Sequence, residues 1–451
     1  MRRLSMLLFV SGFSGVVYQG LWPKQHSSLL GGTVHATPTA IGVFFVGLTV
    51  VQWWAVSRAA EQPSPLAVYG RLEAAIAVAA LSFLALPPAL RLLYPFLLSV
   101  VGDGLGLASA RALVAAVVLS PSAILMGATL PMIAEHVGRG ATVWARPMAG
   151  LYAANTLGAA TGAGAAGFIL PEALGLRAAY GVAIAGNLVA AAVALRTAAR
   201  QPVHAVRYTA APPVARSALP HQAVALAFLS GCLALAMQVL WTRMFAQVLH
   251  NSVYSFASIL IVFLTALGLG ALAARVLGGR GIDPAPTLAM ILLTAGISVI
   301  ASPFVFDRLT GGLAYVAPEA GWLEYLATAV GLAAAVVGFP CLLLGMVFPY
   351  LLKVYERDER VGELVGRLAS ANTIGAIVGS VVAGFVALPQ IGLWPSVRTV
   401  GVLYVIAALW SSERAGRWRR PLVAGVALAV VAATTIADPG RLPRVAVDAT
   451  R

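Results

Sequence analysis

Asn155, Gly158 and Gly162 stand at i, i+3 and i+7, and Asn372, Gly375 and Gly379 repeat the spacing. That interval puts each trio on one helix face. An asparagine amide beside two glycines can do two things in an apolar setting. Glycines four apart let a second helix approach backbone to backbone, with the amide bonding across the seam. Alternatively, the amide lines a cavity or docking surface. The same two stretches follow a Gly-x-x-x-Pro segment, Gly127 to Pro131 and Gly345 to Pro349. A proline inside a helix removes one backbone donor and kinks or loosens it. Pro121 and Pro340 add a second interruption earlier in each helix. A loosened helix beside an Asn-Gly face at one depth is the arrangement of many transporter sites. Gln19 and Gln238 complete the candidates, one turn before Trp22 and Trp241. Tryptophans there are expected to anchor at the membrane surface, with Lys24 and Arg243 reaching the headgroups.

The elements that must position these residues are membrane helices. The chain has 451 residues, 60% hydrophobic and 10% charged, with mean hydropathy +0.89. No water-soluble fold could bury that much apolar surface, so lipid is the solvent. Runs long enough to span lie near 4–23, 38–57, 71–98, 110–134, 148–171, 178–196, 221–246, 252–275, 286–305, 326–352, 364–388 and 393–411. Another run, 421–437, makes a thirteenth. The longest, 71–98, holds Pro87-Pro88, and part of it is expected along the interface. The fold class is thus an all-α polytopic membrane protein of 12 to 13 spans.

The formal charge of +14 points to topology rather than to nucleic acid. Lys24 and Lys353 are the only lysines, and the arginines sit between apolar runs. With the N-terminus inside, Arg58, Arg71, Arg139, Arg146, Arg196, Arg200, Arg357 and Arg360 fall in cytoplasmic loops or at their edges, as the positive-inside rule requires. A multi-pass inner-membrane protein with a cytoplasmic N-terminus follows. Met1-Arg2-Arg3 before an apolar run outlines a signal peptide, but no small-x-small site follows, and the segment is expected to be retained. Cys232 and Cys341 lie in apolar runs without ligand spacing, and His35, His136 and His250 have no partner at metal spacing. No metal or cofactor is expected. Glu73 is the one acidic residue that enters a span. So small a set of membrane carboxylates counts against a proton-driven polyamine carrier.

The chain repeats itself. Ser11–Val50 lies on Ser230–Leu269 without a gap, pairing Ser11-Gly12 with Ser230-Gly231, Gln19 with Gln238 and Leu21-Trp22 with Leu240-Trp241. Gly127–Pro131 and Gly345–Pro349 then match, as do Asn155–Gly162 and Asn372–Gly379, and Gly167-Phe168 and Gly384-Phe385. Six spans separate equivalent points, so the repeats are parallel about an axis along the membrane normal. Residues 1–196 form the first six-helix repeat, 197–220 a cytoplasmic linker, and 221–411 the second repeat. Residues 412–451 hold a basic loop, the thirteenth span and a short tail.

Ser11-Gly-Phe-Ser-Gly-Val-Val-Tyr-Gln-Gly-Leu-Trp22, Leu125–Pro131, Leu151–Gly158 and Gly167–Pro171 together resemble the membrane region of the fused spermidine synthase-like family. That family joins a major-facilitator-like membrane region to an aminopropyltransferase domain. The resemblance covers roughly residues 5–410 and implies a two-repeat helical fold. The family has glutamate where Gln19 and Gln238 stand, and Pro23-Lys24 also departs from its pattern, whereas Thr242-Arg243 fits. Residues 412–451 supply no Rossmann-like sheet or nucleotide loop, so no catalytic residue is carried over. The resemblance implies a membrane scaffold or transport partner for a soluble transferase-type enzyme at the cytoplasmic face. A free-standing secondary transporter and a shortened membrane-bound enzyme are the other two expectations.

Overall fold

The computed structural model describes residues 1–30, 59, 61–102, 105–139, 143–200, 221–249, 253–316, 321–356 and 361–412. The expected span 38–57, most of the linker and the run 421–437 lie outside them. Every regular element among the described residues is helical. In chain order these are α1 (Arg2–Leu30), α2 (Pro65–Val101), α3 (Leu105–Gly138), α4 (Ala145–Gly164) and α5 (Leu170–Ala199), then α6 (His221–Phe245), α7 (Val253–Leu277), α8 (Pro284–Leu309), α9 (Trp322–Val354), α10 (Val361–Val381), α11 (Leu388–Ile391) and α12 (Leu393–Ser411). In lipid the backbone must satisfy its own hydrogen bonds, and helices do so within one segment. Eight stretches among the described residues are long and apolar enough to cross a bilayer.

Starts are set by local chemistry and repeat between the halves. Ser64 caps α2, its Oγ accepting from the Ala67 amide, and Asp283 caps α8 through the Ala285 amide. Proline follows each cap at the first helical position, where its missing donor costs nothing. The Pro87-Pro88 pair does not divide the helix that contains it, since α2 is continuous for 37 residues. Likewise α3 runs through Pro121 and Pro131, and α9 through Pro340 and Pro349.

The helical ladder changes elsewhere. After α4 the backbone widens into a π-helical turn, Ala165–Ile169, and after α10 into another, Val382–Ala387. Leu170 donates five residues back to Ala165, and Leu388 does the same to Ala383. Pro171 and Pro389 come next, and each lacks the amide that an unbroken α-ladder needs. Four and three residues further on, Gly175 (φ 75°, ψ 166°) and Gly392 (φ 80°, ψ 177°) take a conformation that side chains exclude. Each half thus makes the same wide turn and glycine corner at the same point.

Two compact units result, Met1–Val224 with Arg357–Ile374, and Ala225–Glu356 with Gly375–Arg451. In the first, α1 lies against α4 and α5, while α2 lies against α3 and α5. Its buried apolar core includes Val17, Leu21, Ile76, Ala80 and Ile184, with the rings of Tyr18 and Tyr180 4.9 Å apart. In the second, α9 packs on α7 and α8, and α8 on α12. Phe245 and Phe306 meet edge to face at 5.1 Å in that unit.

Candidate functional site

The Asn-Gly faces are packing seams in both halves. A methyl group on Gly158 would collide with the Phe9 carbonyl, one on Gly162 with the Phe13 carbonyl, and one on Gly12 with the backbone and Oδ1 of Asn155. In the second unit Gly375 abuts the Phe228 carbonyl, and Gly379 that of Cys232. Residues 9 and 228, like 13 and 232, are equivalent in the repeat, so one contact is made twice. Glycine is needed there because the two backbones touch. Asn155 and Asn372 are half-buried, Asn155 against Gly12.

Pro131 and Pro349 are buried within α3 and α9. Gly345, one turn before Pro349, touches the Leu267 backbone, and Gly270 touches Leu342. Past the prolines each helix ends in a short ion pair: Arg139 donates to Glu135 at 3.0 Å, and Lys353 to Glu356 at 2.5 Å. Gln19 and Gln238 are half-buried. Gln238 takes part through its backbone carbonyl, which accepts from Thr242 Oγ1 at 2.7 Å. Trp241 departs from the interfacial anchor expected of it. Its ring is 1% exposed, and Nε1 donates to Ser302 Oγ on α8 at 3.0 Å. An indole sealed between helices must satisfy its one donor there.

The most polar interior feature among the described residues lies in the first unit, at a residue the sequence marks only by its isolation. Glu73 is wholly buried. Ser11 Oγ donates to its Oε1 at 2.6 Å, and Asn187 Nδ2 to its Oε2 at 2.5 Å. Tyr18 Oη in turn donates to Asn187 Oδ1 at 2.9 Å. Three helices that are distant in sequence therefore meet through one carboxyl: α1 through Ser11 and Tyr18, α2 through Glu73, and α5 through Asn187. Tyr69, one turn before Glu73, is fully buried beside it. Ser14, three residues after Ser11, is also fully buried, and its Oγ has no hydrogen-bond partner. It lies against Gly186, where a side chain would strike it.

With a rise of 1.5 Å per residue, Glu73 sits about 12 Å from the start of α2, and Ser11 about 14 Å from the start of α1. The cluster is buried within the bundle, near the Arg71 edge of the expected span 71–98. Glu73, the acidic residue expected to enter a span, is buried among the helices with both carboxyl oxygens hydrogen-bonded. Ser11 and Glu73 were legible as polar residues in spans, and Asn187 is the lone amide in its apolar run. What links them is buried-polar satisfaction, since each requires a partner in hydrocarbon.

The helices adopt a major-facilitator-like fold. The E. coli fucose:proton symporter FucP superposes with a TM-score of 0.56 at 12% identity, covering 92% of this chain and 98% of that one. A bacterial homologue of the iron transporter ferroportin, in its outward-facing state, gives 0.60 at 14% identity over 92% and 100%. The human organic anion transporter MFSD10 gives 0.55 at 16% over 91% and 99%. No protein-family model matches the chain. In sequence it is 26% identical over 218 residues to polyamine aminopropyltransferase 1 of Streptomyces coelicolor, covering 46% of this chain and 38% of that protein. It is 25% identical over 199 residues to a polyamine aminopropyltransferase of Leptospira interrogans, covering 44% and 36%. The matched part is less than two-fifths of each relative's length. The chain is a multi-pass membrane protein with a major-facilitator-like fold and a local likeness to these transferases.

Proposed function

We propose that this chain is a membrane carrier of the major-facilitator type that works beside an aminopropyltransferase-type enzyme and moves a small solute linked to that enzyme's chemistry. The supporting observation is the superposition on transporters over more than nine-tenths of the chain. The partial match to two polyamine aminopropyltransferases supports the enzyme as its companion. The basic loops support a cytoplasmic N-terminus, with the Arg139 and Lys353 ends of α3 and α9 on the same side. The soluble partner then docks on that face, and the bilayer is the inner membrane. A polyamine with several charges calls for several carboxylates. Glu73 is the one wholly buried carboxylate among the described residues, so a neutral or zwitterionic solute suits this interior better.

Proteoliposomes holding the full chain, offered a panel of radiolabelled amines, amino acids and thioether nucleosides, test the reading. Saturable uptake of at least one compound is expected, and uptake no faster than in empty vesicles across the panel overturns it. Purification in mild detergent tests the companion separately. Recovery of a soluble transferase-type protein is expected, and its absence removes that part of the proposal.

A further inference from the structure

We infer that Glu73 is a proton-binding site, and that its proton is the ion to which the carrier is coupled. The coupling rests on the carrier reading above, whereas the binding site stands on geometry alone. A wholly buried carboxyl within a helix bundle is stable as an anion only beside a cation. Among the described residues neither ion pair involves Glu73. The groups that face it are neutral: Ser11, Asn187 and the phenol of Tyr69, with Tyr18 and Tyr180 beyond them. Arg71, two residues away on α2, is exposed. An isolated charge in such a place neutralises, and a proton does this without enlarging the site.

The partners suit a proton better than a metal ion. Each carboxyl oxygen already receives a short hydrogen bond from a neutral donor, Ser11 Oγ on Oε1 and Asn187 Nδ2 on Oε2. No group of three or more His, Cys, Asp or Glu able to hold a metal occurs among the described residues. A serine hydroxyl both donates and accepts. With Glu73 ionised, Ser11 Oγ donates to Oε1; with Glu73 protonated, Oε1–H donates to Ser11 Oγ, and the heavy atoms need not move. Asn187 Nδ2 serves Oε2 in both states, fixed by the Tyr18 hydroxyl on its Oδ1. The unpartnered Ser14 hydroxyl adds one spare donor and acceptor in the same dry space. Loading adds one proton to the carboxylate and release returns it to water, so charge balances through the carboxyl alone.

The second half has lost this site. The caps of α2 and α8 place Leu292 opposite Glu73 and Leu288 opposite Tyr69, while the repeat places Met237 opposite Tyr18 and Tyr404 opposite Asn187. All four are buried, and only Ser230 keeps the serine of Ser11. One half carries the proton site and the other a greasy copy.

Infrared spectroscopy on the full chain in lipid reads the proton directly. A protonated-carboxyl C=O band is expected at neutral pH, shifted in D2O, lost at alkaline pH and missing from Glu73→Gln. No such band in folded protein, or an unchanged band in Glu73→Gln, overturns the site. If Glu73→Gln does not fold, Ser11→Ala decides: the band must shift in frequency, and a band that stays put overturns the assignment. With a solute from the uptake panel, an inward proton gradient is expected to speed wild-type uptake at least 5-fold. Glu73→Gln is expected to keep exchange but lose that acceleration, and acceleration retained in Glu73→Gln overturns the coupling. Absence of any solute flux in the wild type sinks the carrier reading instead, leaving the infrared band to judge the proton site.

Discussion

The two halves share a backbone plan and differ in what they hold at its centre. Each brings two helices together on glycines, α1 with α4 and α6 with α10, widens into a π turn at the same place, and turns on a glycine of positive φ. Inside that common frame the first half places Glu73, Ser11, Asn187 and Tyr18 in one hydrogen-bonded chain. The second places Leu292, Met237 and Tyr404 at the matching positions, all buried. Among the described residues its interhelical polar contacts include neutral bonds, Trp241 to Ser302 at 3.0 Å and Ser255 with Tyr325 at 2.9 Å. Duplication therefore constrains the positions where backbones touch and leaves the interior between them free to diverge.

Six substitutions sharpen or break this comparison. Leu292→Glu writes the carboxyl of the first half into the second without its partners. A buried ionisable group lacking hydrogen bonds costs several kcal/mol, so little folded protein is expected by size-exclusion chromatography in mild detergent. Recovery at wild-type yield would show that the second half still holds partners for a carboxyl.

Gly158→Val and Gly375→Val test the shared frame. Each side chain meets a backbone carbonyl that cannot rotate away. Overpacking by about 3 kcal/mol is expected at either site, read as a matched drop in apparent melting temperature. A large effect in one half alone would break the equivalence. Next in size is Asn187→Ala, which strips Glu73 Oε2 of a donor and Tyr18 of its acceptor. Interhelical hydrogen bonds in membranes average about 0.6 kcal/mol, so a loss of about 1–2 kcal/mol is expected. Tyr404→Phe, its counterpart, should cost less in the same thermal assay. The smallest effect belongs to Arg139→Ala, which removes a half-exposed i, i+4 pair and should shift stability by under about 1 kcal/mol.

Much of the frame was legible because it is written in local chemistry. Apolar runs located helices that begin and end within a few residues of α6, α7, α8 and α12, and internal matching exposed the repeat. Where the expectation differed, tertiary packing supplied the reason. Prolines 131 and 349 suggested broken helices, yet both helices continue. The ladder changes instead at 165–169 and 382–387, ahead of prolines that also close the matched blocks. Trp241 looked interfacial from its place near a helix end, and packing against α8 buries it.

What the sequence determined alone was the solvent, the helices and the twofold plan, since hydropathy, caps and repeated Asn-Gly spacing all act within one segment or between matching ones. What only the tertiary structure decided was the company Glu73 keeps. Its partners lie 62 and 114 residues away, and the bond that fixes Asn187 spans 169. In a bilayer every apolar helix face is equally content with lipid or with a neighbour, so no local signal selects which three helices will meet. The need to satisfy one carboxyl is visible in the sequence, but the residues that satisfy it become visible only when the helices are assembled.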